Sequence, residues 1–216
     1  MKLIGVPVSP FVRKTAVVLA AKGVDYETEI VLPGMQPPEF IEISPLNKIP
    51  VLQDGDVTLP DSSIICEYLD EKYPEPPMRP SDLVARAQAR FLEEYADTAL
   101  ISAMSVPFLE NFVAPRMRQT EPDQERAREA VEELIPPALD YVETRVPEQG
   151  FLFDHFCIAD IALVTHTVNA ELGDYRVDPA RWPRFAAYID RVKAHPPVQA
   201  TLEREAEVLA QVFGGG

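Results

Sequence analysis

Apolar residues fall in short clusters through residues 1–76 and at helical spacing from residue 82 onward. In the first stretch, "KLIGV" (Lys2 to Val6) is apolar and β-branched, which predicts a strand. Ser9 then precedes Pro10, a residue suited to the first turn of a helix, and "PFVRKTAVVLAAKG" closes on Lys22-Gly23, a C-terminal stop. "YETEIV" (Tyr26 to Val31) alternates and predicts a second strand. The segment "LPGMQPPEFIEISPLN" leaves room for one short helix around Glu39 to Ile43. "IPVLQDGDVTLP" reads as two strands about an Asp54-Gly55 turn, and "DSSIICEYLDEKY" as a helix opened by Asp61 or the serines after it. The order β-α-β, short helix, β-β-α predicts a small mixed sheet with helices.

"YPEPPMRPSD" carries four prolines in ten residues and cannot continue a helix, so residues 77–81 are expected to link two domains. Beyond it the strand pattern stops. Phe91, Leu92, Tyr95 and Leu100 mark a first long helix, which Pro107 and Pro115 are expected to kink or break. "DQERAREAVEELIPPALDYVETRV" predicts a second, disturbed at Pro136-Pro137. "IADIALVTHTVNAEL", "WPRFAAYIDRVKA" and "PVQATLEREAEVLAQVF" supply three more. Residues 82–216 therefore read as all-helical, without internal repeats, and the terminal Gly214–Gly216 receive no function.

Composition narrows the function. The 20 Lys and Arg against 35 Asp and Glu leave a net charge of −15, a field that repels nucleic-acid phosphates and anionic lipid surfaces. A small anion can still be held at a local positive spot. Two cysteines, Cys66 and Cys157, lie in apolar surroundings and point to a reducing compartment rather than a disulfide framework. The apolar run at the N-terminus is too short for a secretion signal, and no apolar stretch reaches the roughly 18 residues of a membrane span. A cytoplasmic protein is expected. His155, His166 and His195 lack metal-ligand spacing and read as surface or packed histidines, so no metal is expected.

Three short segments could carry chemistry. At Ser9 a hydroxyl opens a helix, where it serves either as a plain N-cap or as a donor to a negatively charged atom. Lys48, before Ile49-Pro50, is either an exposed lysine at a strand start or an anion contact. Asp61-Ser62 opens another helix, where N–H groups and a hydroxyl seat a carboxylate, although both residues are also good caps. Met104, Phe108 and Phe112 recur every four residues, a core stripe more often than a pocket wall.

Taken in register, "SPFVRK", "PLNKIPVL" and "DSSIICEYL", followed by an all-helical part, resemble the cytosolic glutathione transferases over essentially the whole chain. The likeness is to the serine-type classes, with tau, theta and zeta-like bacterial members nearest. It implies an α/β thioredoxin-like N-terminal domain over residues 1–76 that binds glutathione, and an all-α C-terminal domain over 82–216. The acceptor pocket is expected where Phe11 meets the first long helix. The resemblance makes glutathione the co-substrate, a hydrophobic electrophile the acceptor, and Ser9 the catalytic hydroxyl that stabilises the thiolate. Phe11, Gln36, Lys48 and Ile49 are implied as glutathione contacts, with a cis bond before Pro50. Asp61 and Ser62 are implied for the γ-glutamyl end. A homodimer with a role in detoxification is implied as well.

This chain departs from the family in places. Asn47 stands where Gly is common, and Asn tolerates the left-handed backbone that Gly supplies. Asp61 is shorter than the Glu many relatives carry, and Met35, beside Gln36, replaces a His or Gln. The usual Cys-Pro-x-Cys of a thioredoxin-like loop reads Ser9-Pro10-Phe11-Val12, which excludes disulfide exchange there. Asp160 resembles the family's helix-start aspartate, with Phe156 and Ile161 as an expected staple and Cys157 in place of a hydroxyl cap. Two other function classes share these motifs. A non-catalytic regulatory or protein-binding module would not need Ser9, Lys48 or Asp61-Ser62. A glutathione-dependent isomerase or dehalogenase would use the same thiolate.

Overall fold

Four short strands make one mixed sheet in the order β2-β1-β3-β4, with β1 at Lys2–Ile4, β2 at Glu27–Glu29, β3 at Val51–Asp54 and β4 at Val57–Pro60. The structure, a computed structural model, describes residues 1–213, so Gly214–Gly216 lie outside the described residues. β1 runs parallel to β2 and antiparallel to β3, and β3 pairs antiparallel with β4. The register sets Ile4 opposite Val51 and Val51 opposite Pro60. The C-terminal end of β1, the N-terminal end of β3 and the C-terminal end of β4 therefore meet at one end of the sheet. The hairpin turns at Gly55-Asp56, one residue later than expected, because Asp54 still pairs with Val57 and Gly55 supplies a φ of 59°.

Helices α1 (Pro10–Ala21), α2 (Phe40–Ile43) and α3 (Ser62–Lys72) complete this part. α1 buries every residue from Val12 to Leu19, so it is covered on more than one side. α3 covers part of it, and the last helix, α10 (Pro196–Phe213), covers another part. Met1–Met78 and the segment from Pro196 onward form one compact unit, and Arg79–His195 form a second. The expectation placed this last helix with the other helices; the structure groups it with the sheet. A buried ion pair between Arg13 and Glu205 ties it there, joined by Arg204 lying 4.9 Å above the Tyr26 ring. The proline-rich segment is tied down as well. Lys22 Nζ donates to Asp70 Oδ1 (2.7 Å) and to the Pro76 carbonyl (2.6 Å), while Asp70 Oδ1 also accepts from Met78 N–H (2.8 Å).

In the second unit, α4 (Leu83–Tyr95), a π-helical turn (Ala96–Leu100), α5 (Ile101–Pro107) and a longer π-helical stretch (Phe108–Arg118) run on without interruption. Pro107 and Pro115 do not break this helix; of the expected kink or break, the structure shows a local distortion into π turns. A proline removes a donor and crowds the turn before it, and the wider π turn accommodates both effects. The same device precedes Pro136-Pro137. There α6 (Gln124–Glu129) passes through a π turn (Ala130–Leu134) into α7 (Ile135–Glu143). Met104 and Phe112 are core residues, and Phe108 stacks on Phe112 with ring centroids 5.3 Å apart.

The centre of the second unit is α8 (Ile158–Leu172), buried at twelve of its fifteen residues and in contact with α4, α5 and α9 (Pro183–Lys193). Its start is held by Asp160, fully buried. The carboxylate accepts from Cys157 N–H (2.7 Å) and Leu152 N–H (2.9 Å), and from the Tyr188 hydroxyl. Before α8, Phe156 stacks on the His195 ring at 3.9 Å. The end of α8 is Gly173, where a Cβ would come within 2.4–2.5 Å of the Pro107 carbonyl group and Phe108 nitrogen. These are backbone atoms that cannot step aside. Gly173→Ala is expected to cost about 1–3 kcal/mol or more, read as a fall in Tm of several degrees.

Candidate active site

The meeting of three strand ends assembles the site. Leaving β1, the chain passes Gly5 and reaches Ser9 at the N-terminus of α1. Entering β3, it passes Ile49-Pro50, which is cis as the resemblance implied. Leaving β4, it reaches Asp61-Ser62 at the N-terminus of α3. Gly5 has to be a glycine for this convergence, because a Cβ there would lie 2.6 Å from Val12 Cγ2 and 3.2 Å from Ile49 Cβ.

Ser9 has the backbone of a helix N-cap, with φ −67° and ψ 127°, yet its side chain makes no capping hydrogen bond. Its N–H donates to the Val6 carbonyl (3.0 Å), and its carbonyl accepts from Arg13 N–H (2.9 Å). The half-buried hydroxyl has no partner among the described residues. Of the two readings of this serine, the cap is therefore not what the folded chain uses.

Asp61 is the cap of α3. It adopts a φ of 76°, rare for a non-glycine residue, and its Oδ1 accepts from Ser63 N–H (2.9 Å) and Ile64 N–H (3.2 Å). Oδ2 has no partner among the described residues, and neither do the N–H and hydroxyl of Ser62. An ammonium and a carboxylate on one carbon fit that pairing. The Lys48 turn is set by Ser44, whose hydroxyl accepts from Lys48 N–H (3.1 Å) and donates to the Lys48 carbonyl (2.7 Å). Asn47 takes the left-handed φ of 52° expected of it. Lys48 itself is exposed, with no partner for its ammonium among the described residues. Gln36 is otherwise occupied: it accepts from Gly34 N–H (2.6 Å) and donates to the Asn47 carbonyl (3.0 Å), bracing the turn that carries Lys48.

Residues 3–77 match the family model described as glutathione S-transferase, N-terminal domain, and residues 125–191 match glutathione S-transferase, C-terminal domain. Maleylacetoacetate isomerase of Pseudomonas aeruginosa is 30% identical over 191 residues, 85% of this chain and 86% of that protein. The chain belongs to the glutathione S-transferase family. A crystal structure of a glutathione S-transferase from Rhodospirillum rubrum F11 superposes with a TM-score of 0.82 at 27% identity, covering 93% of this chain and 91% of that one. A stringent starvation protein A homolog of Pasteurella multocida is 44% identical over 82 residues, 38% of this chain and 39% of that protein. Membership in the glutathione S-transferase family carries the enzyme class, a glutathione transferase, and the co-substrate, glutathione.

Three residues beside this candidate site make buried contacts that the motifs do not name. Lys14 is fully buried and donates to Ser63 Oγ (3.1 Å), linking the helix of Ser9 to that of Ser62. Arg13 is 2% exposed and paired with Glu205 inside the first unit. Ser44 is buried beneath the Lys48 turn. A signal for the first two was present, since adjacent basic residues inside the apolar helix "VRKTAVVLAA" require buried partners. For Ser44 no such signal exists.

Proposed function

We propose that Ser9 donates its hydroxyl to the thiolate of bound glutathione, which then attacks a hydrophobic electrophile. The observation that carries this reading is the Ser9 hydroxyl, placed at a helix N-terminus and not used to cap it. Lys48 meets the carboxylate at the glycine end, and the Ile49 main chain pairs with the extended tripeptide as an added strand would. Asp61 Oδ2 receives the ammonium and Ser62 the carboxylate of the γ-glutamyl end. Phe11 borders the thiol from the first turn of α1. Gln36 contributes through the Asn47 carbonyl rather than by direct contact. The chemistry is tested on the ultraviolet thiolate band of bound glutathione, titrated from acid to alkaline pH. Ionisation about one to two units below the free thiol is expected, and an unshifted thiol would sink the reading.

A second net reaction is favoured by the Pseudomonas isomerase, similar over nearly its whole length. An isomerase uses the same thiolate but returns glutathione unchanged. Conjugate accumulating in step with glutathione loss excludes it. The regulatory alternative draws on the starvation protein, but that match covers 38% of the chain, and the retained Ser9, Lys48 and Asp61-Ser62 argue for catalysis.

The active form is a homodimer in this reading. α4 exposes Leu83, Val84 and Phe91, apolar residues that a second copy would cover. Sedimentation should give about twice the chain mass of 24.1 kDa, and Phe91→Glu should shift it toward the single chain. Residence in the cytoplasm fits the two buried cysteines, which form no disulfide. No helix among the described residues is long and apolar enough to cross a membrane.

A further inference from the structure

The buried ion pair between α1 and α10 lies one helical turn from Ser9. Arg13 Nε donates to Glu205 Oε2 at 2.7 Å and Nη2 to Glu205 Oε1 at 2.6 Å, a two-pronged contact that fixes the plane of the guanidinium. Both side chains are at least 96% buried. Such a pair is no more stabilising than well-packed apolar residues of the same size, so its use here calls for a role in geometry.

That role is visible in two further contacts of Arg13. Nη2 also approaches the Val8 carbonyl at 3.4 Å, and the Arg13 N–H donates to the Ser9 carbonyl at 2.9 Å. The Val8 carbonyl shares a rigid peptide plane with the Ser9 N–H. Arg13 thus touches the chain on both sides of the Ser9 α-carbon. The Ser9 hydroxyl has no capping bond to steer it, so its aim depends on that stretch of backbone. Glu205 stands 192 positions away in sequence and reaches this turn only because α10 lies against α1.

We propose that Glu205, acting through Arg13, is a positioning residue for Ser9, so that the C-terminal helix completes the catalytic turn. The inference rests on the reading of Ser9 given above. Its direction separates it from a simple charge effect. If Glu205 acted only as a countercharge, its removal would leave Arg13 more positive and favour the thiolate. Loss of positioning disfavours the thiolate instead. The other charged residues placed at these helices include Lys14, which donates to Ser63 Oγ, Lys22, paired with Asp70, and Arg204, over the Tyr26 ring, and the substitutions below leave all three in place.

The test is a cycle of wild type, Ser9→Ala, Glu205→Gln and the double variant. For each folded protein the pKa of bound glutathione, kcat and the glutathione KM are measured. Glu205→Gln is expected to raise the thiol pKa by about one unit and lower kcat about tenfold, with KM within about twofold. In the Ser9→Ala background the same substitution should change neither pKa nor kcat further. If Glu205→Gln does not fold, Glu205→Asp keeps the charge and withdraws the fork by one methylene. It should then raise the pKa in the same direction. An unchanged or lowered pKa in either variant overturns the inference, as does an undiminished effect of Glu205→Gln in the absence of the Ser9 hydroxyl. A silent Ser9→Ala would instead remove the reading of Ser9 and this inference with it.

Discussion

Ser9→Ala is expected to slow glutathione conjugation about 10- to 100-fold at neutral pH while leaving thermal stability essentially unchanged. The first half follows from a hydrogen bond to a charged sulfur, worth about 1.5–3 kcal/mol, and from about 1.36 kcal/mol per pKa unit. A free thiol with a pKa of ~8.5 is only about 3% ionised at pH 7. A fall of about 1.5 units brings it to roughly half. The sign is fixed by the chemistry: a depressed thiol pKa raises the thiolate fraction by its full factor below the bound value, and that advantage shrinks between the bound and free values and vanishes above the free value. The rate difference between wild type and Ser9→Ala should therefore shrink as pH rises past about 8.5. The second half follows from the missing cap bond. Removing a working serine cap costs about 0.5–2 kcal/mol, whereas this hydroxyl holds nothing in the folded chain. A Tm lowered by several degrees with unaltered conjugation would show that Ser9 is a cap after all.

The opposite pattern is expected at Asp160. Replacing it with Ala strands two buried N–H groups and the Tyr188 hydroxyl at the start of the most buried helix. Each buried polar group left without a partner costs about 1–3 kcal/mol, so a total of about 3–5 kcal/mol is expected, and a fall in Tm of roughly 10 °C. Asp160→Asn keeps an acceptor oxygen and should lose less. Denaturant unfolding of the two variants checks the order. Equal stability of Asp160→Ala and wild type would mean that the Cys157 and Leu152 amides find other partners.

Much of this was readable from the chain. Short β-branched runs broken by Gly, Pro and Asp placed all four strands and the helices between them, because period and turn residues act locally. The motifs at Ser9, Lys48 and Asp61 could be found because each sits at an element end where the backbone geometry is constrained. Other features depended on contacts that no local pattern records. Pro107 and Pro115 signalled a kink or a break, and only the fold shows that the helix takes them up by widening its turns. α10 was assigned to the helices it follows in sequence, while Glu205 carries it to the sheet. Gln36 had the right chemistry for a ligand contact, and the fold adds a second use for it, bracing the neighbouring turn with one donor and one acceptor of its amide. Whether the Ser9 hydroxyl capped its helix could be known only from the fold.

The two cysteines bear on how long such an enzyme lasts at its work. An enzyme that holds a thiolate beside reactive electrophiles risks alkylation of its own sulfur atoms. Cys66 is 1% exposed, and Cys157 is fully enclosed, its thiol pushed up by burial so that it stays protonated. Bound glutathione is then the reactive thiol that a substrate meets, and the catalyst is spared its own chemistry.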